Sequence, residues 1–276
     1  MNGGHQKLTN SGVLRYNANM SKKIIVANWK MNPAGLKEAK ALFASVKKTA
    51  SRLLNVETII CPPFIYLTEL GHSMSKLKLG AQDVSRFDFD GAHTGEVSAK
   101  MLKNLGVKDV IIGHSERRRL GETSEIINKK IGISLSLGLK AILCVGEETR
   151  DEEGKFAEII EQQINEGLKG LSQNLMKGLI ITYEPVWAIS GSAKSKAGDS
   201  ESAFRMAVLI RKVLMDIAGN ELARKIPILY GGSVGSGNAR QFLKDGQMDG
   251  LLVGNKSLDK EEFKKILIIA ENINGD

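Results

Sequence analysis

The stretch Val110-Ile111-Ile112-Gly113-His114-Ser115-Glu116-Arg117 decides the fold. Its first half, Val110–Gly113, is a short apolar run with no alternation of apolar and polar residues. A strand that is apolar throughout is one covered on both faces, as in a parallel sheet. Its second half switches abruptly to chargeable and small polar residues. The same pattern occurs at Ile24–Ala27, Thr58–Cys61, Leu77–Ala81, Ala141–Val145, Leu179–Tyr183, Ile228–Tyr230 and Leu251–Val253. Between these runs the sequence has helical period. Leu36, Ala39, Phe43, Val46, Ala50 and Leu53 fall three or four apart, as do Phe156, Ile160, Ile164, Leu168 and Leu171. Phe204, Val208 and Met215 continue the pattern behind Asp199, a candidate N-cap, and Asp259 with Glu262 resembles a capping box. Eight strand-then-helix units in roughly 255 residues predict an α/β chain folded as a closed (β/α)8 barrel. A doubly wound open sheet competes, but it usually has fewer strands, and no GxGxxG follows the first one. No linker rich in Pro or Ser divides the chain, so residues 21–276 read as a single domain.

Composition agrees. Of 276 residues, 42% are hydrophobic and 25% charged, which suits a large buried core and not a disordered chain. The longest apolar runs, such as Ala141–Val145 and Ile266–Ala270, are five residues, whereas a bilayer span needs about 20. The net charge of +8 permits nucleic acid, an anionic membrane or a small anionic substrate. Nucleic acid would need basic clusters interleaved with exposed aromatics, and aromatics are only 5%. Cys61 and Cys144 lie in apolar runs and form neither a disulfide framework nor CxxC spacing, which predicts a reducing, cytoplasmic location. Residues 1–20 are rich in Gly, Asn and Ser, without apolar periodicity, and read as a disordered leader or a misassigned start before Ser21. Setting them aside removes Lys7 and Arg15 and no acid, which leaves +6.

A barrel of this kind does its chemistry at the carboxyl ends of its strands. Those ends carry Asn28-Trp29-Lys30, Gly113-His114-Ser115-Glu116-Arg117, Gly146-Glu147, Glu184-Pro185-Val186-Trp187, Gly231-Gly232-Ser233 and Gly254-Asn255. Taken singly, each has a bland reading. Lys30 is a solvated charge, His114 a hydrogen-bonded core residue, Glu184 an ion-pair member, and the glycines tight turns. Cys144 reads as a small buried apolar residue, not a nucleophile. Glu116 and Glu147 are expected to pair with neighbouring bases such as Arg117 or Lys30. The strand ends lie in separate units at one relative position, so only the barrel gathers them. Glycines after strands seven and eight let backbone N–H groups approach an anion closely.

Asn28-Trp29-Lys30-Met31-Asn32, Gly113-His114-Ser115-Glu116-Arg117-Arg118, Cys144-Val145-Gly146-Glu147, Tyr183-Glu184-Pro185-Val186-Trp187-Ala188-Ile189 and Tyr230-Gly231-Gly232-Ser233-Val234 occur in that order. Together they resemble the triosephosphate isomerase family from about Lys23 to the C-terminus. The resemblance implies a TIM barrel that interconverts dihydroxyacetone phosphate and D-glyceraldehyde 3-phosphate, with no metal or cofactor. It implies Glu184 as the base, His114 as the group that polarises the carbonyl, and Lys30 as the fixed positive charge. Asn28 would bind substrate oxygens, and backbone N–H groups near Ser190, Ser233, Gly254 and Asn255 would hold the phosphate. It also implies a homodimer in which a loop around Thr94 and Gly95 crosses to the other subunit, with no nucleic-acid or membrane partner. Two positions depart from the family pattern. Ser190 stands where a glycine is expected in the lid, and Asn255 replaces a second glycine, a change eased by the access of Asn to left-handed backbone. The altered lid keeps a second reading open, a non-catalytic barrel that binds phosphate or another anion. A different phospho-sugar barrel isomerase is a weaker alternative.

Overall fold

The computed structural model describes residues 22–71, 76–88, 91–150, 154–189 and 198–273. The expected leader, residues 1–20, and the lid residue Ser190 lie outside the described residues. The chain alternates β1 (Lys23–Asn28), α1 (Leu36–Ala50), β2 (Val56–Cys61), α2 (Phe64–Gly71), β3 (Lys78–Ala81) and α3 (Ala99–Asn104). It continues through β4 (Asp109–Ile112), α4 (Ser115–Arg119), α5 (Ser124–Ser136), β5 (Lys140–Val145), α6 (Lys155–Leu168), α7 (Gln173–Met176) and β6 (Leu179–Tyr183). It ends with α8 (Ser200–Ala218), α9 (Asn220–Ala223), β7 (Ile228–Tyr230), α10 (Ala239–Lys244), β8 (Gly250–Val253) and α11 (Lys260–Glu271). All eight strands are parallel, in the order β1 to β8, and β8 pairs with β1 to close the barrel. The (β/α)8 TIM barrel is therefore the observed fold. Among the described residues, no helix is long and apolar enough to cross a membrane.

The reason each strand is apolar throughout is visible in two separate cores. Ile24, Val26, Ile59, Cys61, Ile111, Ile142, Cys144, Ile180, Leu229 and Leu252 fill the barrel interior. Their neighbours along the same strands, such as Ile25, Ile60, Val110, Leu143 and Ile181, pack outward against the helices. Both cysteines are free and buried.

The strands differ from the sequence reading mainly at their amino ends. Expected starts at Thr58, Val110 and Ala141 move back to Val56, Asp109 and Lys140, while β3 begins at Lys78, one residue later than expected. Apolar runs stop at a charged residue, but the parallel ladder does not, because register continues through Gly80↔Asp109 and Asp109↔Lys140. Glu57, Lys78, Asp109 and Lys140 share the interior face with the apolar residues two positions on. They form a charged floor in which Glu57 lies 2.7 Å from Lys78 and 3.6 Å from Lys140.

Helix ends follow local chemistry. Asp199 caps α8, its side chain accepting the Ser202 N–H at 2.7 Å. That helix buries Ala203, Met206, Ile210, Val213 and Leu214, whereas Phe204 and Val208 lie on the exposed side, so its apolar face is rotated from the one expected. Asp259 caps α11 by accepting the N–H groups of Glu261 and Glu262 at 3.0 Å. Glu262 does not complete a capping box. Its carboxylate accepts the Ser236 N–H at 2.7 Å and ties α11 to the loop after β7.

Candidate active site

The carboxyl ends of β1, β4, β6, β7 and β8 surround a cavity of about 370 Å³. Lys30, His114, Glu184, Ser233, Gly254 and Asn255 all line it. Five separate strand ends thus bring six of the eight expected site residues together.

His114 follows β4 by one glycine. Gly113 has φ +72°, and an added Cβ would sit 3.1 Å from the Arg118 guanidinium. This turn is pinned by Arg118, which donates to the carbonyls of Gly113 at 2.8 Å and Cys144 at 3.1 Å. His114 caps α4, and its Nδ1 accepts the Glu116 N–H at 3.2 Å. An acceptor at Nδ1 leaves the proton of the neutral ring on Nε2. That Nε2 lies 3.0 Å from Glu184 Oε1 and points into the cavity.

Glu184 leaves β6 while its N–H still donates to the Val145 carbonyl at 2.8 Å. Its carboxylate is buried. Besides His114, it accepts the Ser115 N–H at 3.0 Å and the Ser115 hydroxyl at 2.9 Å. Burial pushes this carboxyl upward, but His114 and the two Ser115 donors outweigh it and hold the carboxyl below its ordinary range. Ser115 was not among the expected site residues. Its place directly after His114, at the start of a helix, is the signal that could have identified it.

Lys30 has φ +53°, a left-handed conformation rare for a side chain with a Cβ. The backbone around it is clamped. Asn28 Oδ1 accepts the Lys30 N–H at 3.0 Å, and Gln82 donates to the Lys30 carbonyl at 2.8 Å. Strain of this kind persists where surrounding structure over-determines it, and it clusters at functional sites. The ammonium lies 2.6 Å from Glu116, one of the two pairings expected for that acid. Asn28 itself is buried, and it is not among the residues that line the cavity. Arg117 instead pairs with Asp83 at 3.1 Å. Glu147 pairs with neither Arg117 nor Lys30. It is fully buried and accepts from Tyr183 at 2.9 Å, Trp187 at 2.8 Å and Arg150 at 3.4 Å. Its ion-pair partner is thus Arg150, a base outside the strand ends, and the same oxygen also takes the Tyr183 and Trp187 donors.

At the far side of the cavity the backbone supplies donors. Gly231 spends its N–H on the Tyr183 carbonyl at 2.8 Å, and an added Cβ would lie 2.6 Å from Thr182 Cγ2. The first glycine of that pair is therefore required by packing. The N–H groups of Gly232, Gly254 and Asn255 make no hydrogen bond among the described residues, whereas the Ser233 N–H donates to Ala188 at 3.2 Å. Gly232 was missed by sequence reasoning because two adjacent glycines do not reveal which one keeps its N–H. Asn255 is not left-handed, since Lys30 and Gln247 are the described non-glycine residues with positive φ. It begins the short turn Asn255–Ser257, which Asn enters with ordinary backbone angles.

The sequence that builds this site has relatives among known proteins. The family model described as triosephosphate isomerase matches residues 23–270. The chain is similar to the triosephosphate isomerase of Natranaerobius thermophilus, 43% identical over 260 residues that cover 93% of this chain and 99% of that protein. It is similar to that of Dehalococcoides mccartyi strain BAV1, 44% identical over 90% of this chain and 96% of that protein. For the Dictyoglomus thermophilum protein of the same name the identity is 42%, over 90% of this chain and 99% of the other. Likeness along nearly the whole barrel, strand ends included, places the chain in the triosephosphate isomerase family.

Proposed function

We propose that this cavity interconverts dihydroxyacetone phosphate and D-glyceraldehyde 3-phosphate, the step shared by glycolysis and gluconeogenesis. The observation that carries the reading is the 3.0 Å pair of Glu184 Oε1 and His114 Nε2, in one cavity with Lys30. The reaction moves one proton between adjacent carbons and one between adjacent oxygens, so it needs a base, a proton donor and a positive charge. Glu184 takes a proton from carbon 1 of dihydroxyacetone phosphate. The electron pair of that C–H bond forms the C1–C2 double bond, and the carbonyl electrons move onto the oxygen at C2. The Nε2–H of His114 donates to that oxygen and then exchanges protons with its neighbour. Lys30 offsets the negative charge as it develops. Protonated Glu184 returns a proton to carbon 2, and the aldehyde results.

The resting carboxylate is a weak base, because three donors satisfy it. Catalysis therefore requires the His114 proton to turn to the substrate oxygen and the carboxylate to leave Ser115. Losing these donors while staying buried raises its basicity where the proton is taken. The phosphate would sit on the open amides of Gly232, Gly254 and Asn255, joined by Ser233 once its bond to Ala188 breaks. Asn28 acts by holding the backbone of Lys30. A barrel that only binds anions would need no carboxylate beside an imidazole. A coupled assay with purified protein tests the reading: glyceraldehyde 3-phosphate should yield dihydroxyacetone phosphate, and folded protein without turnover would contradict it.

We also propose a homodimer. Met31 is 93% exposed, Ile65 76% and Met101 50%, and Thr94 and Gly95 are exposed on the loop between β3 and α3. Large apolar side chains this open, on neighbouring units of one face, suit coverage by a second copy. Sedimentation of wild type and Ile65→Asp tests this, with a dimer expected for the first and a monomer for the second.

A further inference from the structure

Among the described residues two lysines line the cavity, and the mechanism above uses one. Lys30 reaches across Gly254, where an added Cβ would lie 3.5 Å from its Cε, and its charge is shared with Glu116 at 2.6 Å. Lys256 lines the same cavity from the turn after β8. That turn is firmly built, because Ser257 is buried and returns both its N–H, at 2.8 Å, and its hydroxyl, at 2.7 Å, to the Gly254 carbonyl. The stem of Lys256 runs toward the loop after β7, its Cγ 3.9 Å from where a Cβ on Gly235 would stand. It therefore bridges the two loops whose N–H groups face the cavity.

Asp259 and Glu262 act on Lys256 through space, but neither pairs with it directly. Asp259 spends its carboxylate on the N–H groups of Glu261 and Glu262, and Glu262 spends its own on Ser236. Lys256 itself makes no hydrogen bond or ion pair among the described residues. A phosphate ester carries close to two negative charges at neutral pH. The open amides offer only partial positive charge, and Lys30 is needed where the enediolate forms.

We propose that Lys256 is a second cation of this site, one that recruits and holds the phosphate dianion while Lys30 serves the reacting carbons. The proposal rests on the reading that the cavity takes a phosphorylated triose. It makes Lys256 a substrate-affinity residue, and its effect is electrostatic and sensitive to salt.

The test uses inorganic phosphate as a probe, titrated calorimetrically into the full chain, beside steady-state kinetics with glyceraldehyde 3-phosphate. Lys256→Gln should weaken inorganic phosphate about fivefold at low salt and raise KM by a similar factor. Lys256→Glu should weaken it further, Lys256→Arg should restore it, and the wild-type advantage should shrink at about 0.5 M salt. Unchanged phosphate affinity and KM in Lys256→Gln would overturn the proposal, as would a loss confined to kcat. The two readings fail separately. If wild type binds phosphate through Lys256 but never turns over, the isomerase reading falls and this one stands. If wild type turns over and Lys256→Gln keeps its KM, the reverse holds.

Discussion

Asp109→Asn should make this protein more stable at neutral pH, although it removes a charge from a charged cluster. Asp109 is the first residue of β4, is fully buried and faces the barrel interior. Neither carboxylate oxygen has a hydrogen-bond donor among the described residues. Burial pushes its pKa from 3.8 to about 6, with Glu57 adding to the rise and Lys140, Lys78 and Lys108 only partly opposing it. A carboxyl so raised binds its proton more tightly in the folded state than in the unfolded one. Its contribution is intact below the unfolded value of 3.8, falls as pH rises toward 6, and is lost above that. The loss amounts to roughly 3 kcal/mol at pH 8. An amide of the same shape carries no charge to bury, so Asp109→Asn should recover most of it, roughly 6 °C in Tm for a chain of this length. The assay is thermal unfolding of both proteins from pH 4 to pH 8 at one protein concentration. The difference in Tm should be near zero at pH 4, open between about pH 4 and 6, and stay flat above. A variant less stable than wild type at pH 8, or a difference independent of pH, would refute the reasoning and mean that the lysines of the floor compensate the buried charge.

Two other substitutions probe different links. Ser115→Ala removes one donor from Glu184, so its depressed pKa should rise toward the ordinary carboxylate value. The base form persists to low pH in wild type, and the acid limb of the kcat/KM profile should therefore move upward in the variant; an unmoved limb would refute the role given to Ser115. Gly231→Ala places a Cβ 2.6 Å from Thr182 Cγ2, beside the Tyr183 carbonyl. It should cost about 1–3 kcal/mol in denaturant unfolding, and a neutral result would show that β7 shifts easily.

Much of the barrel can be read from sequence because strands buried on both faces leave a simple signature. Ile111 and Val110 point to opposite cores, yet both must be apolar. The reading fails where burial and polarity part company. Glu57, Lys78 and Lys140 continue their strands but interrupt the apolar runs, because mutual charge and not hydrophobicity places them there, and Asp109 is buried beside them with no donor of its own among the described residues. Helix faces blur for a similar reason. Phe204 and Val208 keep the right spacing but lie on the wrong stripe of α8. At the site, position after a strand identifies Lys30, His114 and Glu184. It cannot show that Asn28 faces the Lys30 backbone, that Glu147 prefers Tyr183 and Trp187, or that Gly232 and not Gly231 keeps its N–H. Those depend on turn geometry, and pattern carries no information about it.

The most direct test of the proton-transfer account is turnover of dihydroxyacetone phosphate in deuterated water, followed by proton NMR, for wild type and Glu184→Gln. Wild type should place solvent deuterium on the carbons that exchange the proton, at the rate of turnover. Glu184→Gln, whose amide cannot accept that proton, should lose both exchange and turnover by at least about a thousandfold while still binding inorganic phosphate. Exchange that survives in Glu184→Gln, or wild-type turnover with no deuterium entering from solvent, would contradict the account.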